Sequence, residues 1–228
     1  MSEPVLKFLK TRDVKSPTRA HSTDAGVDFY VPVANTKFVD DFVKKNLGHE
    51  YTLVGEYMFN DTLAYTQMHI NKDDNEDDLY SLFDNMLSVV HYDYSLNDES
   101  VTLDDIEVIS FKIIVPGHER ILVPSGVKIY IEPVASALIA TNKSGVATKK
   151  GVVVGATTVD SHYSGEVHLS VINTNPYAIE VECNNKLVQF IHTPVLLSTP
   201  TEVFDDEYSN LTNSFDRGAG GFGSTGLK

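Results

Sequence analysis

Two side chains that could act on a ligand lie three residues apart in VGATTVDSHYSGEV, residues 154–167. Asp160 is a carboxylate that can hold and deprotonate a water molecule, and the ring of Tyr163 can pack against a flat or cyclic group. Gly155 and Ala156 precede them and permit close approach to the backbone. We predict a β-hairpin here, whose free backbone amides could read a pyrimidine edge while Asp160 and Tyr163 hold a water and a sugar.

A second stretch, NKSGVATKKG, residues 142–151, is suited to binding an anion. Lys143 is followed by Ser144 and Gly145, and we predict a short helix over 144–150 with Ser144 as its N-cap. Free N–H groups at a helix start, together with a hydroxyl and an ammonium group, can bind phosphate. The alternative is a plain N-cap with no ligand.

Two further stretches lie near the ends of the chain. STDAGVDFY, residues 22–30, places Asp24 and Asp28 around Ala-Gly at the start of a strand, where an Asp often only caps a turn. The last thirteen residues, 216–228, hold five of the fourteen glycines together with one Arg and one Phe. They are either a flexible tail or a lid that closes over a flat and anionic ligand.

The elements that must position these residues are mainly short strands. Their spacing favours a closed all-β architecture of the jelly-roll or barrel kind. The β-rich runs are VLKFLKTR (5–12), GVDFYVPV (26–33), the two sides of Pro-Gly-His-Glu in 111–133, VASALIA (134–140), GVVVG (151–155), EVHLSVINTN (166–175) and AIEVECNNKLVQFIHTPV (178–195), the last with Asn-Asn as a predicted hairpin turn.

Residues 36–105 have a different pattern from the rest of the chain. VDDFVKKNL (39–47) and DDLYSLFDNMLSVVHY (77–92) have the three- and four-residue apolar spacing of amphipathic helices, which predicts a helical or mixed α/β insert. The segment contains sixteen Asp and Glu but four Lys, whereas the whole chain has a net charge of −14. We interpret NKDDNEDD (71–78) as a solvated loop, because it lacks the glycine and terminal Glu spacing of a calcium loop.

Composition excludes several classes of protein. With 228 residues, of which 42% are hydrophobic, the chain can bury a large core, but no apolar run approaches the ~20 residues that span a bilayer. The negative charge argues against nucleic-acid binding. The first ten residues lack the pattern of a signal peptide, and Cys183 is the single cysteine. We therefore expect a cytoplasmic protein, in a host cell if phage-encoded, with no membrane partner and no intrachain disulfide.

In their order along the chain, five stretches resemble the five motifs of the homotrimeric dUTP nucleotidohydrolases (dUTPases). The stretches are AHSTDAGVDFY (20–30), NKSGVA (142–147), GATTVDSHYSGE (155–166), NNKLVQF (184–190) and RGAGGFGSTG (217–226). The resemblance covers about 155 residues and includes PGHERILVPSGVKIYIEP between motifs one and two. It implies a jelly-roll or β-clip core over 1–35 and 106–215, an insert over 36–105 and a C-terminal lid over 216–228, in a trimer with shared active sites.

The resemblance also assigns roles to residues. Asp160 would activate the water that attacks the α-phosphorus of dUTP, giving dUMP and pyrophosphate, and Asp28 would lie near an Mg²⁺ held mainly by the triphosphate, through water. Tyr163 would stack on the sugar and exclude a 2′-hydroxyl group. The remaining substrate contacts would be Lys143, Ser144, Gly145, Thr157, Thr158, Val159, His168 and Gln189, with Arg217, Phe222, Gly223, Ser224 and Thr225 from the lid.

Several positions depart from the family pattern. Lys143 stands where Arg is usual, which replaces a bidentate fork by a point charge. Asn184-Asn185-Lys186 replaces Gly-Asp-Arg, which puts a common salt bridge in doubt. Thr157 replaces a common glycine, and His162 and Ser164 replace the frequent acid and Arg around Tyr163.

Two other functions remain open at this point. The pocket could serve a nucleotide-sensing regulatory module whose acidic insert, residues 36–105, binds another protein, as extra segments of viral and phage members suggest by analogy; the insert could equally be a surface decoration. A dCTP deaminase-like enzyme shares the fold but has a catalytic Glu where this chain has Asp160 and Tyr163.

Overall fold

The structure is a computed structural model that describes residues 3–59, 62–75 and 107–215. The chain forms two compact units, Met1–Val195 and Leu196–Lys228. In the described residues, the first unit contains twelve strands and two helices, which confirms a mainly β fold. The elements are β1 (Val5–Lys10), β2 (Val27–Phe29), α1 (Thr36–Lys45), β3 (Tyr51–Phe59), β4 (Thr62–Ile70), β5 (Glu107–Val115), β6 (Arg120–Glu132), β7 (Ser136–Asn142), α2 (Ser144–Lys150), β8 (Val152–Val154), β9 (Thr158–Asp160), β10 (Glu166–Asn173), β11 (Ile179–Glu182), β12 (Val188–Pro194) and, in the second unit, α3 (Asp205–Thr212).

The strands form three four-stranded sheets around one core. Their orders are β1-β6-β10-β8, β11-β5-β3-β4 and β2-β12-β7-β9. Along β10 the side chains alternate strictly, so that Val167, Leu169 and Val171 are buried and their neighbours are half-buried. This period of two is the pattern of a strand with one face in the core.

Helix α1 packs its apolar face against the sheet that contains β3 and β5. Asn35 begins the helix, because its side-chain oxygen accepts a hydrogen bond of 2.8 Å from the backbone N–H of Phe38. Phe38 and Phe42 are fully buried and contact Phe111 and Tyr51 edge-on, with ring centroids 5.9 and 5.1 Å apart. A helix is therefore present where 39–47 predicts one, but it spans Thr36–Lys45, and these ring contacts pack it on the β core.

The buried side chain of Asn46 joins the end of α1 to β6. Its Oδ1 accepts a hydrogen bond of 2.7 Å from the backbone N–H of Leu122, and its Nδ2 donates to the carbonyl of Leu122 at 2.9 Å. Nδ2 also donates to the carbonyl of Phe42 at 2.7 Å. One side chain thus satisfies backbone groups of a helix and of a strand 76 residues later in the sequence.

Arg12 forms a second link between α1 and the β core. Its Nε and Nη2 donate to the two carboxylate oxygens of Glu166 at 3.0 and 3.1 Å, and Nη2 also pairs with Asp41 of α1. The side chain of Arg12 is only 7% exposed. Glu166 also accepts a hydrogen bond of 2.7 Å from the backbone N–H of Gly126. Three segments of the chain therefore meet at one buried guanidinium group.

The structure describes only the first part of the predicted insert. Residues 36–59 and 62–75 contain α1 and the antiparallel pair β3 and β4, and β3 also pairs with β5. The helix predicted at 77–92 lies outside the described residues, as does the tail 216–228. The boundaries of the insert at 36 and 105 remain a prediction.

Two predicted hairpins are wrong in their pairing. β11 pairs with β5, whereas β12 pairs with β2 and β7, so the Asn184-Asn185 turn connects two sheets. Asn184 does take the left-handed conformation of a turn, with φ 65°, and the Asn185 N–H donates to the carbonyl of Glu182 at 3.1 Å. The Asn184 N–H and the Asn185 carbonyl, however, bond to Val31. Turn residues show where a chain reverses and carry no information about which strands then pair.

The β-hairpin predicted at 154–167 is the second one that is not formed. β9 pairs with β7, and β10 pairs with β6 and β8, so its two arms belong to different sheets. The Gly155 N–H still donates to the carbonyl of Ser170 at 3.0 Å. A Cβ at Gly155 would lie 2.5 Å from the Ser170 hydroxyl, which explains the glycine. The divergence of the two arms leaves a space between them.

The helix predicted at 144–150 is present as α2, but its cap differs by one residue. Lys143 is the N-cap and Ser144 is the first helical residue, and no side chain caps the helix. The C-cap is Gly151, whose φ of 61° suits glycine.

Helix α3 of the second unit has Asp205, Asp206 and Glu207 in its first turn, where negative charge interacts favourably with the helix dipole. None of the helices in the described ranges is long and apolar enough to cross a membrane.

We predict that Asn46→Ala destabilises the protein by about 2–3 kcal/mol, because it leaves the N–H and the carbonyl of Leu122 buried without partners. Urea unfolding followed by circular dichroism measures this change. Asn71→Ala, at an exposed asparagine, is the control and should stay within about 0.5 kcal/mol of the parent. Equal stability of the two variants would contradict the role of Asn46.

Candidate active site

A cavity of about 330 Å³ lies between the diverging arms of residues 154–167. Its size is in the range of small-molecule sites. It brings together five of the predicted site residues, namely Thr158, Val159, Asp160, Tyr163 and His168. The other lining residues are Lys45, Leu122, Ala156, Val167 and Phe190.

Asp160 and Tyr163 are held in a tight turn at the end of β9. The backbone N–H of Tyr163 donates to the carbonyl of Asp160 at 3.1 Å, and the Tyr163 hydroxyl donates to the carbonyl of Glu166 at 2.9 Å. A Cβ at Gly165 would collide with the Tyr163 ring, so the glycine allows the ring to lie close to the backbone. Both side chains are exposed to solvent at the cavity, where a carboxylate can contact a water or a ligand.

His168 contributes a neutral imidazole to the same cavity. Its Nδ1 lies 2.8 Å from the carbonyl of Glu166, and since a carbonyl only accepts, Nδ1 carries the proton. Burial lowers the pKa of His168, and the positive charges of Lys45 and Arg12 lower it further, against the effect of Glu166. His168 is therefore uncharged at neutral pH, with Nε2 as a potential acceptor.

A second group of predicted residues surrounds Asp28. This carboxylate is 3% exposed and pairs with Lys143 through Oδ1 and with Lys186 through Oδ2, the latter at 3.3 Å. Hydrogen bonding to Asp28 and then to Tyr30 raises the pKa of Lys186. Gln189 lies opposite Asp28 in the β2–β12 register, and its side-chain amide donates to the carbonyl of Asn142 at 3.0 Å. The two lysines neutralise a buried charge and connect motifs one, two and four.

The two groups lie at opposite ends of β7. Asp160 pairs with Ala137 near the start of this strand, and Gln189 pairs with Thr141 near its end, just before Lys143. The five steps from residue 137 to residue 142 along the strand correspond to roughly 17 Å. One chain therefore does not bring Asp160 together with Lys143, Ser144 and Gln189.

The other predicted contacts are placed as follows. Thr157 accepts a hydrogen bond of 2.6 Å from the N–H of Ala140 through its carbonyl, so its backbone belongs to the β7 side of the cavity. Gly145 has open space around it, since an added Cβ would meet nothing within 4 Å. Arg217, Phe222, Gly223, Ser224 and Thr225 lie outside the described residues.

The structure shows what the residues that depart from the family motifs contact. Asn185 accepts a long hydrogen bond of 3.3 Å from the N–H of Glu182, and its backbone pairs with Val31, so amide contacts hold this turn. Lys186 keeps a charge beside Asp28. His162 and Ser164 are exposed.

Sequence reasoning missed Lys45 and Glu166. The amphipathic pattern of α1 shows which face is buried, but it does not show that the helix ends beside the cavity. Glu166 follows Gly165 in motif three, and its carbonyl holds both Tyr163 and His168. Only the folded backbone reveals this contact.

The described residues contain no group of three or more His, Cys, Asp or Glu side chains that could hold a metal ion. Both oxygens of Asp28 are engaged by ammonium groups, so a cation would compete with Lys143 and Lys186 there. Cys183 is half-buried, and burial raises the pKa of its thiol, which disfavours a thiolate nucleophile.

Comparisons with known proteins agree on one family. The profile of the dUTPase family matches residues 100–226. The chain is 35% identical over 118 residues to the deoxyuridine 5′-triphosphate nucleotidohydrolase of Shewanella pealeana, which is 51% of this chain and 73% of the relative. It is 36% identical over 126 residues to the same enzyme of Clostridium acetobutylicum, and the match covers 54% of this chain and 81% of that relative.

A solved structure supports the fold. The dUTPase of Staphylococcus bacteriophage 80alpha with dUpNHpp superimposes with a TM-score of 0.55 at 13% identity. The superposition covers 98% of this chain and 99% of the phage protein.

The lowered pKa of His168 predicts a dependence of stability on pH. Between the lowered folded pKa and the unfolded value of about 6.5 the unfolded chain binds more protons, so the free energy of unfolding falls as pH falls. Urea titrations at pH 7.5, 6.5 and 5.5 measure this fall. In His168→Gln the fall should be smaller, whereas exposed His162→Gln should behave as the parent; a parent-like slope in His168→Gln would contradict the assignment.

Proposed function

The chain belongs to the dUTPase family and is a dUTP diphosphatase, and we propose that it hydrolyses dUTP to dUMP and pyrophosphate with Asp160 as the general base. The observation that carries the mechanism is the cavity in which Asp160 and Tyr163 share one wall. A carboxylate there can orient and deprotonate a water. The oxygen of that water attacks the α-phosphorus, and the bond to the leaving pyrophosphate oxygen breaks.

The cavity accommodates the nucleoside part of the substrate. Leu122, Ala156, Val159, Val167 and Phe190 provide apolar surface for a pyrimidine ring. Backbone groups of Thr157, Thr158, Val159 and Asp160 bind the base, and Tyr163 packs on the deoxyribose where a 2′-hydroxyl group would collide. A site that leaves polar groups of a wrong base unpaired can discriminate by ~10⁴-fold.

The triphosphate is bound by residues at the other end of β7. Lys143, Ser144, Gly145 and Gln189 contact its oxygens. The tail closes over the bound substrate, with Arg217 on the γ-phosphate, Phe222 over the base, and Gly223, Ser224 and Thr225 around the phosphates.

Because these groups lie roughly 17 Å from Asp160 within one chain, the complete site forms between subunits of a trimer. Each subunit supplies Asp160 to one site and Lys143 to another.

The residues fit an Mg²⁺ that the triphosphate itself carries, rather than one coordinated directly by the protein. Asp28 is already paired with two lysines and could reach such an ion only through water. When bound, Mg²⁺ supplies neutralising charge to the phosphate oxygens. The role of the protein's own residues is to orient the water through Asp160 and to hold the nucleotide.

We predict that Asp160→Asn lowers kcat for dUTP by more than about 100-fold, since general-base catalysis contributes 10²–10⁴-fold. Pyrophosphate release from dUTP, dCTP, dTTP and UTP with Mg²⁺ measures activity, and calorimetry with dUpNHpp measures binding. Binding should persist in Asp160→Asn. Exposed Asp13→Asn is the control and should behave as the parent.

A parent-like rate in Asp160→Asn would remove Asp160 from the mechanism. Binding of dUTP without turnover by the parent would favour a nucleotide-sensing module, and release of ammonia from dCTP would favour a deaminase.

We predict that two inactive variants complement each other. Asp160→Asn and the double variant Lys143→Met/Ser144→Ala damage opposite ends of β7, so mixed trimers contain some sites with both ends intact. Co-expression should restore about a quarter of the parent activity, since each half-site is intact in about half of the subunits. Activity no higher than that of the two variants alone would contradict a shared site.

A further inference from the structure

The pairing of β6 with β10 is irregular beside the cavity that Asp160 and Tyr163 line. Glu166 pairs with Lys128, whereas His168, two residues later in β10, pairs with Pro124, four residues earlier in β6. Between these pairs β6 therefore has two residues more than β10, which is a β-bulge. Bulges redirect side chains and are frequent next to active sites. The two residues that follow Glu166 line the cavity.

The carboxylate of Glu166 binds a backbone group of the bulge and a buried guanidinium group. Its Oε1 accepts a hydrogen bond of 2.7 Å from the backbone N–H of Gly126, which lies within the bulge. The two oxygens also accept from Arg12, at 3.0 Å from Nε and at 3.1 Å from Nη2. Gly126 has φ 72°, and a Cβ there would lie 3.2 Å from the Cβ of Arg12, so the glycine permits this close approach. These contacts hold the side chain of Glu166 in one orientation.

The main-chain carbonyl of Glu166 holds the aromatic ring of Tyr163. The Tyr163 hydroxyl donates a hydrogen bond of 2.9 Å to this carbonyl. The ring is 43% exposed, and a side chain with this exposure keeps rotamer freedom unless a contact restrains it. The position of the ring at the cavity therefore depends on where the backbone of Glu166 lies.

The ion pair between Arg12 and Glu166 has few alternative arrangements. A planar guanidinium group binds both oxygens of a carboxylate in one geometry. Arg12 is also paired with Asp41, and breaking a buried pair leaves an uncompensated charge. Arg12 precedes the first of the five motifs and lies outside all of them. The support for the Tyr163 ring thus includes a residue that the motifs do not contain.

We propose that Arg12 and Glu166 are positioning residues for sugar recognition: their ion pair holds the Tyr163 ring where a 2′-hydroxyl group would collide with it. Neither side chain contacts the substrate; both act through the Glu166 carbonyl and the Tyr163 hydroxyl. When the pair is weakened, the ring regains rotamers that leave room for ribose, and the preference for deoxyribose falls. This inference rests on the proposed function in taking Tyr163 as the residue that packs on the deoxyribose.

The test compares binding of dUMP and UMP, which have the same base and phosphate and differ only in the 2′-hydroxyl group. Calorimetry gives both dissociation constants without turnover, and the ratio of the Kd for UMP to the Kd for dUMP measures sugar discrimination. A variant that is merely less stable loses affinity for both ligands equally, so its ratio does not change. Urea unfolding followed by circular dichroism shows whether each variant is folded.

Two substitutions weaken the ion pair. Glu166→Gln keeps an acceptor for the Gly126 N–H but turns an amide donor toward Nη2 of Arg12, and Arg12→Lys keeps the charge but not the two-pronged contact. In each variant we expect the ratio to fall about three- to tenfold, the factor that corresponds to one net hydrogen bond. Asp40→Asn, which removes an ion pair with Lys44 on α1, is the control and should keep the parent ratio.

A double-mutant cycle tests whether the ion pair acts through the ring. Tyr163→Phe keeps the ring and removes its hydrogen bond to the Glu166 carbonyl, so it should lower the ratio by a similar factor. Adding Glu166→Gln to Tyr163→Phe should lower the ratio no further, because both substitutions remove the same restraint. Since Tyr163 is exposed, Tyr163→Phe tests the contact even where Glu166→Gln does not fold.

Three results would overturn the proposal. An unchanged ratio in Tyr163→Phe would show that the hydroxyl contact does not place the ring. An unchanged ratio in folded Glu166→Gln or folded Arg12→Lys would show that the ion pair does not support it. Additive losses in the double variant would show that Glu166 acts by another route. A parent that binds UMP as tightly as dUMP would instead contradict the role of Tyr163 in the proposed function, and this inference with it.

Discussion

The buried guanidinium group of Arg12 is the interaction on which the site depends. Burying a charge is costly unless partners with good geometry surround it, and Arg12 has Glu166 and Asp41. Glu166 then holds Tyr163 and His168 through its carbonyl, while Asp41 belongs to α1, which ends beside the same cavity. Loss of the Glu166 contacts would leave the buried guanidinium group with Asp41 alone, so the ion cluster favours one arrangement of α1 and of the turn that contains Asp160 and Tyr163.

The sheet that contains β7 separates the two groups of candidate site residues. Its register places Asp160 at one end and the Asp28–Lys143–Lys186 cluster at the other. Each group is internally well connected, and neither reaches the other within a chain. The proposed shared site therefore requires that subunits associate.

Much of this arrangement could be predicted from sequence, because strand periodicity, helix periodicity and ordered motifs are local signals. The strand β10, the helix α1 and the grouping of Asp160 with Tyr163 follow from such signals. Pairing does not: the turns at Asn184 and between β9 and β10 indicate reversals, yet the strands that they connect join different sheets. Lys45 could not be found either, since helical periodicity identifies the buried face but not the neighbour of the exposed end.

The length of β7 sets the distance between Asp160 and the residues that we propose to bind phosphate. Adding one residue within it would turn every following side chain to the opposite face of the sheet, and adding two would lengthen the distance that a neighbouring subunit must match. The long segment between β2 and β5 precedes β7 in the sequence and does not change its length. Residues can therefore be added there, including Lys45 at the cavity wall, while the distance between Asp160 and Lys143 along β7 is unchanged.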